Sequence, residues 1–144
     1  EMQRSLVGSE MCIRDSRYFK FVPLSEMHGR KWASAAELNV SILKNISGAS
    51  QRQIVVSVDS DADNSMKLAA DGNINTYWHT VHNQLYIAPY PHEIHLSLSK
   101  EATIKGIRYT PRQDSEEGRI ASYEVYASKD GKIGGSPLSM APSI

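Results

Sequence analysis

Apolar residues in this chain recur at every second position in short runs. In the stretch His92 to Leu98, Ile94, Leu96 and Leu98 fall on one face, and Glu93, His95 and Ser97 on the other. Ile120 to Ser128 repeats the pattern, with Tyr123, Val125 and Ala127 opposite Ser122, Glu124 and Tyr126. Successive side chains of a strand leave opposite faces, so a period of two is a strand signal. Arg17 to Leu24 (RYFKFVPL) is aromatic and β-branched enough for another strand, which Pro23 is expected to end. Ala35 to Val40, Ile54 to Val58 and Thr103 to Thr110 add three more, the last with Gly106 marking a bulge or bend. Asp130-Gly131 reads as a turn. Only Ser65 to Ala70 resembles helix, and it is about one turn long. Short strands spaced by turns predict an all-β antiparallel sandwich.

Composition narrows the function classes. The 144 residues suffice for one ordinary domain with its flanks, and 16 Lys and Arg balance 16 Asp and Glu. A neutral chain offers no electrostatic footprint for nucleic acid or an anionic membrane. No apolar run approaches the roughly 18 residues of a membrane span. A hydrophobic content of 40% argues against disorder.

The stretch Ser5 to Ser16 (SLVGSEMCIRDS) has neither an amphipathic period nor a signal-peptide layout. It matches the in-frame translation of a transposon-end sequencing adapter, so residues 1–16 are set aside as a laboratory artefact. This removes Cys12, the one cysteine, and with it any disulfide or thiolate site. Residues 44–52 (KNISGASQR) are rich in Ser, Asn and Gly, a linker composition.

Several groupings invite a chemical reading. His79 and His82, and again His92 and His95, have H-x-x-H spacing that suggests zinc. On a strand, however, residues three apart point to opposite faces, and His92-Glu93-Ile94-His95 misses the zincin spacing by one residue. Asp59, Asp61 and Asp63 imitate an EF-hand start, but Asn64 replaces the sixth-position Gly and Ala70 the twelfth-position Glu, leaving a solvated acidic loop. Glu116 and Glu117 resemble a glycosidase carboxylate pair or plain surface. Asp71-Gly72-Asn73 with Thr76 forms an oxygen-rich turn that suits a hard cation, or else an Asx-turn holding none. Trp78 reads as core, and Arg112 as either a sugar clamp or the partner of Asp114.

The string Ala69-x-Asp71-Gly72-Asn73-x-x-Thr76-x-Trp78-His79-Thr80 resembles the signature of coagulation factor V/VIII type C (discoidin-like) domains. Pro91-His92-Glu93-Ile94, Lys105-Gly106-Ile107-Arg108-Tyr109, Pro111-Arg112-Gln113-Asp114 and Gly118-Arg119-Ile120 follow in the same family's order. So do Tyr123-Glu124-Val125-Tyr126 and Ser128-Lys129-Asp130-Gly131. The bacterial form of this family is the family 32 carbohydrate-binding module, a galactose-binding-like jelly-roll sandwich. Arg17 to Val40 resembles the end of such a domain, through Ser34-Ala35-Ala36-Glu37-Leu38-Asn39-Val40. The resemblance therefore implies four parts: the adapter (1–16), the C-terminal tail of a preceding module (17–40), a linker (41–52) and an incomplete module (53–144) truncated at its C-terminal end.

Carried over by position, the family's sugar site would use His79 and Arg112, which match, with His82 at the aromatic position and Glu117 at the Asn position. His82 stacks less well than Trp, and Glu117 can accept but not donate, and could itself occupy Arg112. Tyr86 or Tyr90 would supply the missing aromatic wall. The family's structural calcium would be held by Asp71 and Thr76, by the backbone of Ala69 and Asn73, and by a closing Glu matched here only by Glu37. Residues 17–40 are then expected to dock where the module's last strands belong, bringing Glu37 to Asp71. The function implied is a noncatalytic carbohydrate-binding module, secreted or on a bacterial cell surface, holding a glycoside hydrolase in the same full-length chain near galactose-type glycans. Adhesion to protein or lipid headgroups is the alternative, opposed by the want of an obvious exposed aromatic spike. A hydrolase built on His79 and a carboxylate is a further one.

Overall fold

A computed structural model describes residues 4–6, 14–45, 53–83, 85–128 and 139–141. Its strands are β1 (Arg4–Leu6), β2 (Arg14–Glu26), β3 (Ser34–Ala35), β4 (Glu37–Asn45), β5 (Gln53–Val58), β6 (Trp78–His79), β7 (Ile94–Thr110), β8 (Ile120–Ser128) and β9 (Ser139–Ala141). Two short 3-10 turns, Ala62–Asn64 and Met66–Ala70, stand between β5 and β6. The architecture is the all-β one expected, a curled antiparallel sheet with the discoidin-like jelly-roll layout.

β7 organises the sheet. The sequence suggests two strands here, yet S-K-E-A between them holds no Gly or Pro, and one 17-residue strand results. On one edge it pairs with β2 and then β1, and on the other with β5 and then β4. Its buried positions run Ile94, Leu96, Leu98, Ala102 and Ile104, then change phase to Ile107 and Tyr109. The change coincides with a bulge: Ser41 pairs with Gly106 and Ile42 with Ile104, so Lys105 is the extra residue. Next to Gly106, where a bend was expected, the bulge returns the following apolar residues to the core side.

Two sequence boundaries need correction. β2 does not stop at Pro23 but runs on to Glu26. Pairing with β7 has already ended at Phe21–Ile94, so Pro23 borders β8 alone and its missing N–H breaks no ladder on the other side. Residues 41–45, assigned to a linker, instead extend β4 along β7 as far as Asn45–Ala102. The remaining linker residues 46–52 and the Asp130-Gly131 turn lie outside the described residues. The segment set aside as adapter contributes Arg4–Leu6 and Arg14–Ser16, both laddered on β7. An unpaired strand edge is a template for neighbouring backbone whatever its side chains.

β2 lies between β7 and β8, and Phe19 and Phe21 project from it into a core of Ile94, Ile104, Tyr109, Tyr123 and Val125. The Phe21 ring sits 5.1 Å from that of Tyr123 and 6.2 Å from that of Tyr109. β2 therefore fills the sheet interior, while β4 flanks β7 and β3 belongs to a separate ladder with β6.

Candidate functional site

The small β3–β6 ladder pairs Ser34 with His79 and Ala35 with Trp78. Strand alternation then buries Trp78, whose indole Nε1 donates to the Ser60 carbonyl at 2.9 Å, and turns His79 outward. His79 Nε2 lies 3.7 Å from the Asp63 carboxylate, and Nδ1 is 3.2 Å from the Thr80 carbonyl. The His82 ring is 6.5 Å from that of His79. Both line a cavity of about 260 Å³ with Asp61, Asp63, Val81 and Asn83.

The second arm of the site is Arg112. Its guanidinium lies 4.3 Å from the centre of the Tyr77 ring, and that ring is 5.6 Å from His79. A line of side chains thus runs His82, His79, Tyr77, Arg112. Arg112 is held by Asp114, with Nε donating at 2.5 Å and Nη2 at 3.3 Å. That hydrogen bond raises the Arg112 pKa further, and the guanidinium in turn lowers the Asp114 carboxyl. Arg112 thus has the Asp114 partner that one of its two sequence readings gave it, and the carboxylate that occupies it is Asp114 rather than Glu117. Glu117 acts on it as a nearby charge, while its backbone N–H bonds to Ser115 and its carbonyl to Ser34. A second shallow cavity of about 250 Å³, between Tyr77, Ile74, Asn75 and Asp114, borders this arm.

The expected aromatic wall is elsewhere. Tyr90 is not part of this cluster: its hydroxyl donates to the Trp32 carbonyl, and its ring packs 4.5 Å from His92. Tyr86 is exposed on a hairpin closed by the His82–Ile87 bridge, next to Leu85 at 95% exposure and Ile87. This apolar tip removes the sequence-based objection that no exposed spike is present. The ring beside the site is Trp32, stacked on His82 at 4.4 Å, so one face of the imidazole is covered rather than free for a sugar. Trp32 and Tyr77 were missed because one lies outside the matched motifs and the other reads as a spacer within them. The aromatic at residue 32, just before the Ala-Ser-Ala-Ala-Glu run, was the available signal.

Glu37 and the Asp71 turn do meet. Glu37, only 3% exposed, accepts the backbone N–H groups of Asp71 (3.1 Å) and Gly72 (3.0 Å) through Oε2. Asp71 accepts from the Asn73 amide at 2.9 Å and the Thr76 hydroxyl at 2.6 Å, and that hydroxyl is 3.1 Å from the Asn73 carbonyl. Burial, and then the adjoining Asp71 carboxylate, push the Glu37 carboxyl up to about 7. Burial pushes Asp71 up as well, but the hydrogen bonds from Thr76 and Asn73 outweigh it and leave Asp71 low. Two carboxylates, a hydroxyl and a carbonyl form an oxygen donor set of the kind that fits a hard cation. Among the described residues no third carboxylate or imidazole joins them.

The other groupings are structural. Buried His92 places Nδ1 3.0 Å from Asp59 and donates through Nε2 to the Lys31 carbonyl at 3.1 Å, so Asp59 is not merely solvated. His95 lies apart, beside Glu93 at 3.2 Å. Glu116 pairs with His28 at 3.1 Å rather than with a second carboxylate.

Comparison with known proteins accounts for this layout. Residues 50–133 match the F5/8 type C domain. A sialidase from Micromonospora viridifaciens is 36% identical over 92 residues, which is 61% of this chain and 14% of that protein. A galactose oxidase from Gibberella zeae is 34% identical over 95 residues, 65% of this chain and 14% of that protein. An A type blood N-acetyl-alpha-D-galactosamine deacetylase from Flavonifractor plautii is 39% identical over 75 residues, 49% of this chain and 10% of that protein. The chain spans only about a seventh or less of the length of these relatives. With more than half of its residues in the match, and with the sandwich that the match implies, this chain belongs to the F5/8 type C domain family.

Proposed function

We propose that this domain is a noncatalytic carbohydrate-binding module of the family 32 kind that binds galactose-type glycans through His79 and Arg112. The carrying observation is the loop cluster itself: two His and a Tyr that line adjoining shallow clefts of about 250–260 Å³, with Arg112 against the Tyr77 ring. Aromatic faces and charge-assisted donors are what a hexose needs, one for its C–H face and the other for its hydroxyls. The relatives named above include proteins called galactose oxidase and N-acetyl-alpha-D-galactosamine deacetylase, which supports a galactose-type ligand. In the parent protein the module would sit beside a catalytic domain of a secreted bacterial glycoside hydrolase or surface protein. It would raise that domain's effective concentration at the glycan. In this reading residues 17–40 are the tail of a preceding module, and calcium is a structural ion held by Asp71, Thr76, Glu37 and the backbone of Ala69 and Asn73.

Calorimetry with methyl β-galactoside tests the sugar site. Weak binding lost in both Arg112→Ala and His79→Ala supports it, whereas binding indifferent to Arg112→Ala refutes it. Glu117→Asn should tighten binding by restoring a donor and lowering the negative charge near Arg112. A second reading, adhesion to lipid headgroups, gains from the exposed Leu85, Tyr86 and Ile87 tip. Co-sedimentation with phosphatidylserine vesicles that is lost in Leu85→Ser would favour it over the glycan reading.

A further inference from the structure

Leu24, Ser25, Glu26, Arg30, Lys31 and Tyr90, together with Gly29 and Pro89, line a separate cavity of about 310 Å³. Its floor contains a buried carboxylate that is closed to any ligand. Glu26 Oε1 accepts the backbone N–H of His28 (2.7 Å) and Arg30 (3.0 Å). Its Oε2 accepts Arg30 Nη1 (3.0 Å) and the Gly118 N–H (3.1 Å). A carboxylate has about four acceptor positions, and all are taken. The rest of the polar lining is the Ser25 hydroxyl, already engaged with that of Ser122, the other N–H groups of Arg30, a third exposed, and the ammonium of exposed Lys31. The Lys31 side chain has no hydrogen bond or ion pair among the described residues. With Arg30 balanced by Glu26, the cavity carries one uncompensated positive charge. Leu24, 40% exposed, and the Tyr90 ring give it an apolar side, and Gly29 leaves its own corner open, with nothing within 4 Å of where a Cβ would stand.

We propose that this cavity is a second ligand subsite, for a carboxylate-bearing sugar residue. The anion would be met by Lys31 and the free edge of Arg30, and the ring's C–H face by Leu24 and Tyr90. Saturation of Glu26 leaves no free carboxylate in the cavity to repel an anion, and the unpaired ammonium selects for negative charge. The segment Arg30-Lys31-Trp32 borders both sites, because Trp32 stacks on His82 of the first. The choice of a sugar acid rests on the glycan-binding reading, whereas the choice of an anion does not.

Amide chemical shifts of the whole ¹⁵N-labelled chain test this, with methyl β-glucuronide, methyl β-galactoside and acetate as separate probes. The expected result is that the glucuronide moves the amides of Gly29, Arg30 and Lys31 while the galactoside moves those of residues 75–82. Lys31→Met, which keeps the side-chain stem, should weaken glucuronide binding about tenfold. Galactoside binding should stay as it was. Raising salt should weaken the glucuronide alone. Glucuronide shifts absent while galactoside shifts persist would overturn the second subsite and leave the first intact. Glucuronide shifts without galactoside binding would support this cavity and count against the His79–Arg112 site. Equal affinity for acetate would overturn the sugar acid in favour of a plain anion site.

Discussion

Glu26 and Glu37 occupy parallel positions and end in different electrostatic states. Both are buried, at 4% and 3% exposure, and both come from the segment outside the family match. Each reaches across to accept backbone N–H groups of a turn inside it, Gly118 in one case and Asp71-Gly72 in the other. Glu26 also has the guanidinium of Arg30 at 3.0 Å. Among the described residues Glu37 has no cation beside it, and it faces Asp71 instead. Its carboxyl accordingly rises to about 7, first from burial and then from Asp71. The same structural device is thus complete in one place and short of a positive charge in the other. A divalent ion on Asp71, Thr76 and Glu37 would supply at the second turn what Arg30 supplies at the first.

The largest expected effect comes from breaking the complete member. Glu26→Ala would leave the Arg30 guanidinium and three backbone N–H groups without their acceptor, two of them on the turn around Gly29 and one on Gly118. Removing one partner of a buried ion pair costs about 3–5 kcal/mol. Gly118 is held against Ser34 on its other side, its carbonyl accepting the Ser34 N–H at 2.9 Å. Urea unfolding that shows less than about 1 kcal/mol of loss would dissolve the contrast between the two glutamates.

Next in size is the pH and calcium response of the Glu37 turn. A carboxyl raised in the folded state holds its proton more tightly there than in the unfolded chain. Its contribution to stability is therefore present below about pH 4.5 and lost as pH rises through about 7. The shift corresponds to about 3 kcal/mol, opposed below pH 4 by Asp71, whose carboxyl is lowered. Without calcium, stability should fall between pH 5 and 7.5. Millimolar calcium should restore it at pH 7.5 and do little at pH 5. Thermal unfolding in calcium against chelator, at the two pH values, measures the difference; equal calcium effects at both would detach the ion from Glu37.

Much of this fold was legible in the sequence because burial imposes a period of two. Ile94, Leu96, Leu98, Tyr123 and Val125 are all in the core where alternation put them. The boundaries were less legible. Pro23 ends a strand only where both edges are paired, and which edges are paired is a tertiary fact. The single 17-residue β7 could not be read from local pattern, since the bulge at Lys105 shifts the phase and imitates a break. In the site, His79 and Arg112 were singled out by the family resemblance. The Arg112–Asp114 pair, two residues apart, was among the readings the sequence offered, whereas the Trp32–His82 stack and the Tyr90–Trp32 hydrogen bond join residues far apart in the chain, which no spacing within the motifs encodes.

A smaller effect converts the complete glutamate into the incomplete one. Arg30→Met keeps the stem and three of the four N–H donors to Glu26 but removes the positive charge. The expected loss is about 1–2 kcal/mol at pH 7.5. Chemical unfolding at pH 7.5 checks this, and a loss below about 0.5 kcal/mol would mean that the backbone donors alone hold Glu26.

The smallest change should come from Glu37→Gln, and its smallness is the informative part. The amide oxygen can still accept the Asp71 and Gly72 N–H groups at the same positions. What disappears is one negative charge next to Asp71, in a site without a positive one. In calcium-free buffer at pH 7.5 the carboxylate's burial penalty and the amide's weaker acceptor strength act in opposite directions. The net change should lie within about 0.5 kcal/mol of zero, with a gain possible in sign. The fall in stability between pH 5 and 7.5 should flatten at the same time, because the group that titrates there is gone. Calcium should lose most of its stabilising effect, since a neutral amide is a poorer ligand for a hard cation than a carboxylate. A loss as large as that of Glu26→Ala would show that Glu37 already has a charge partner, and that the two turns are alike after all.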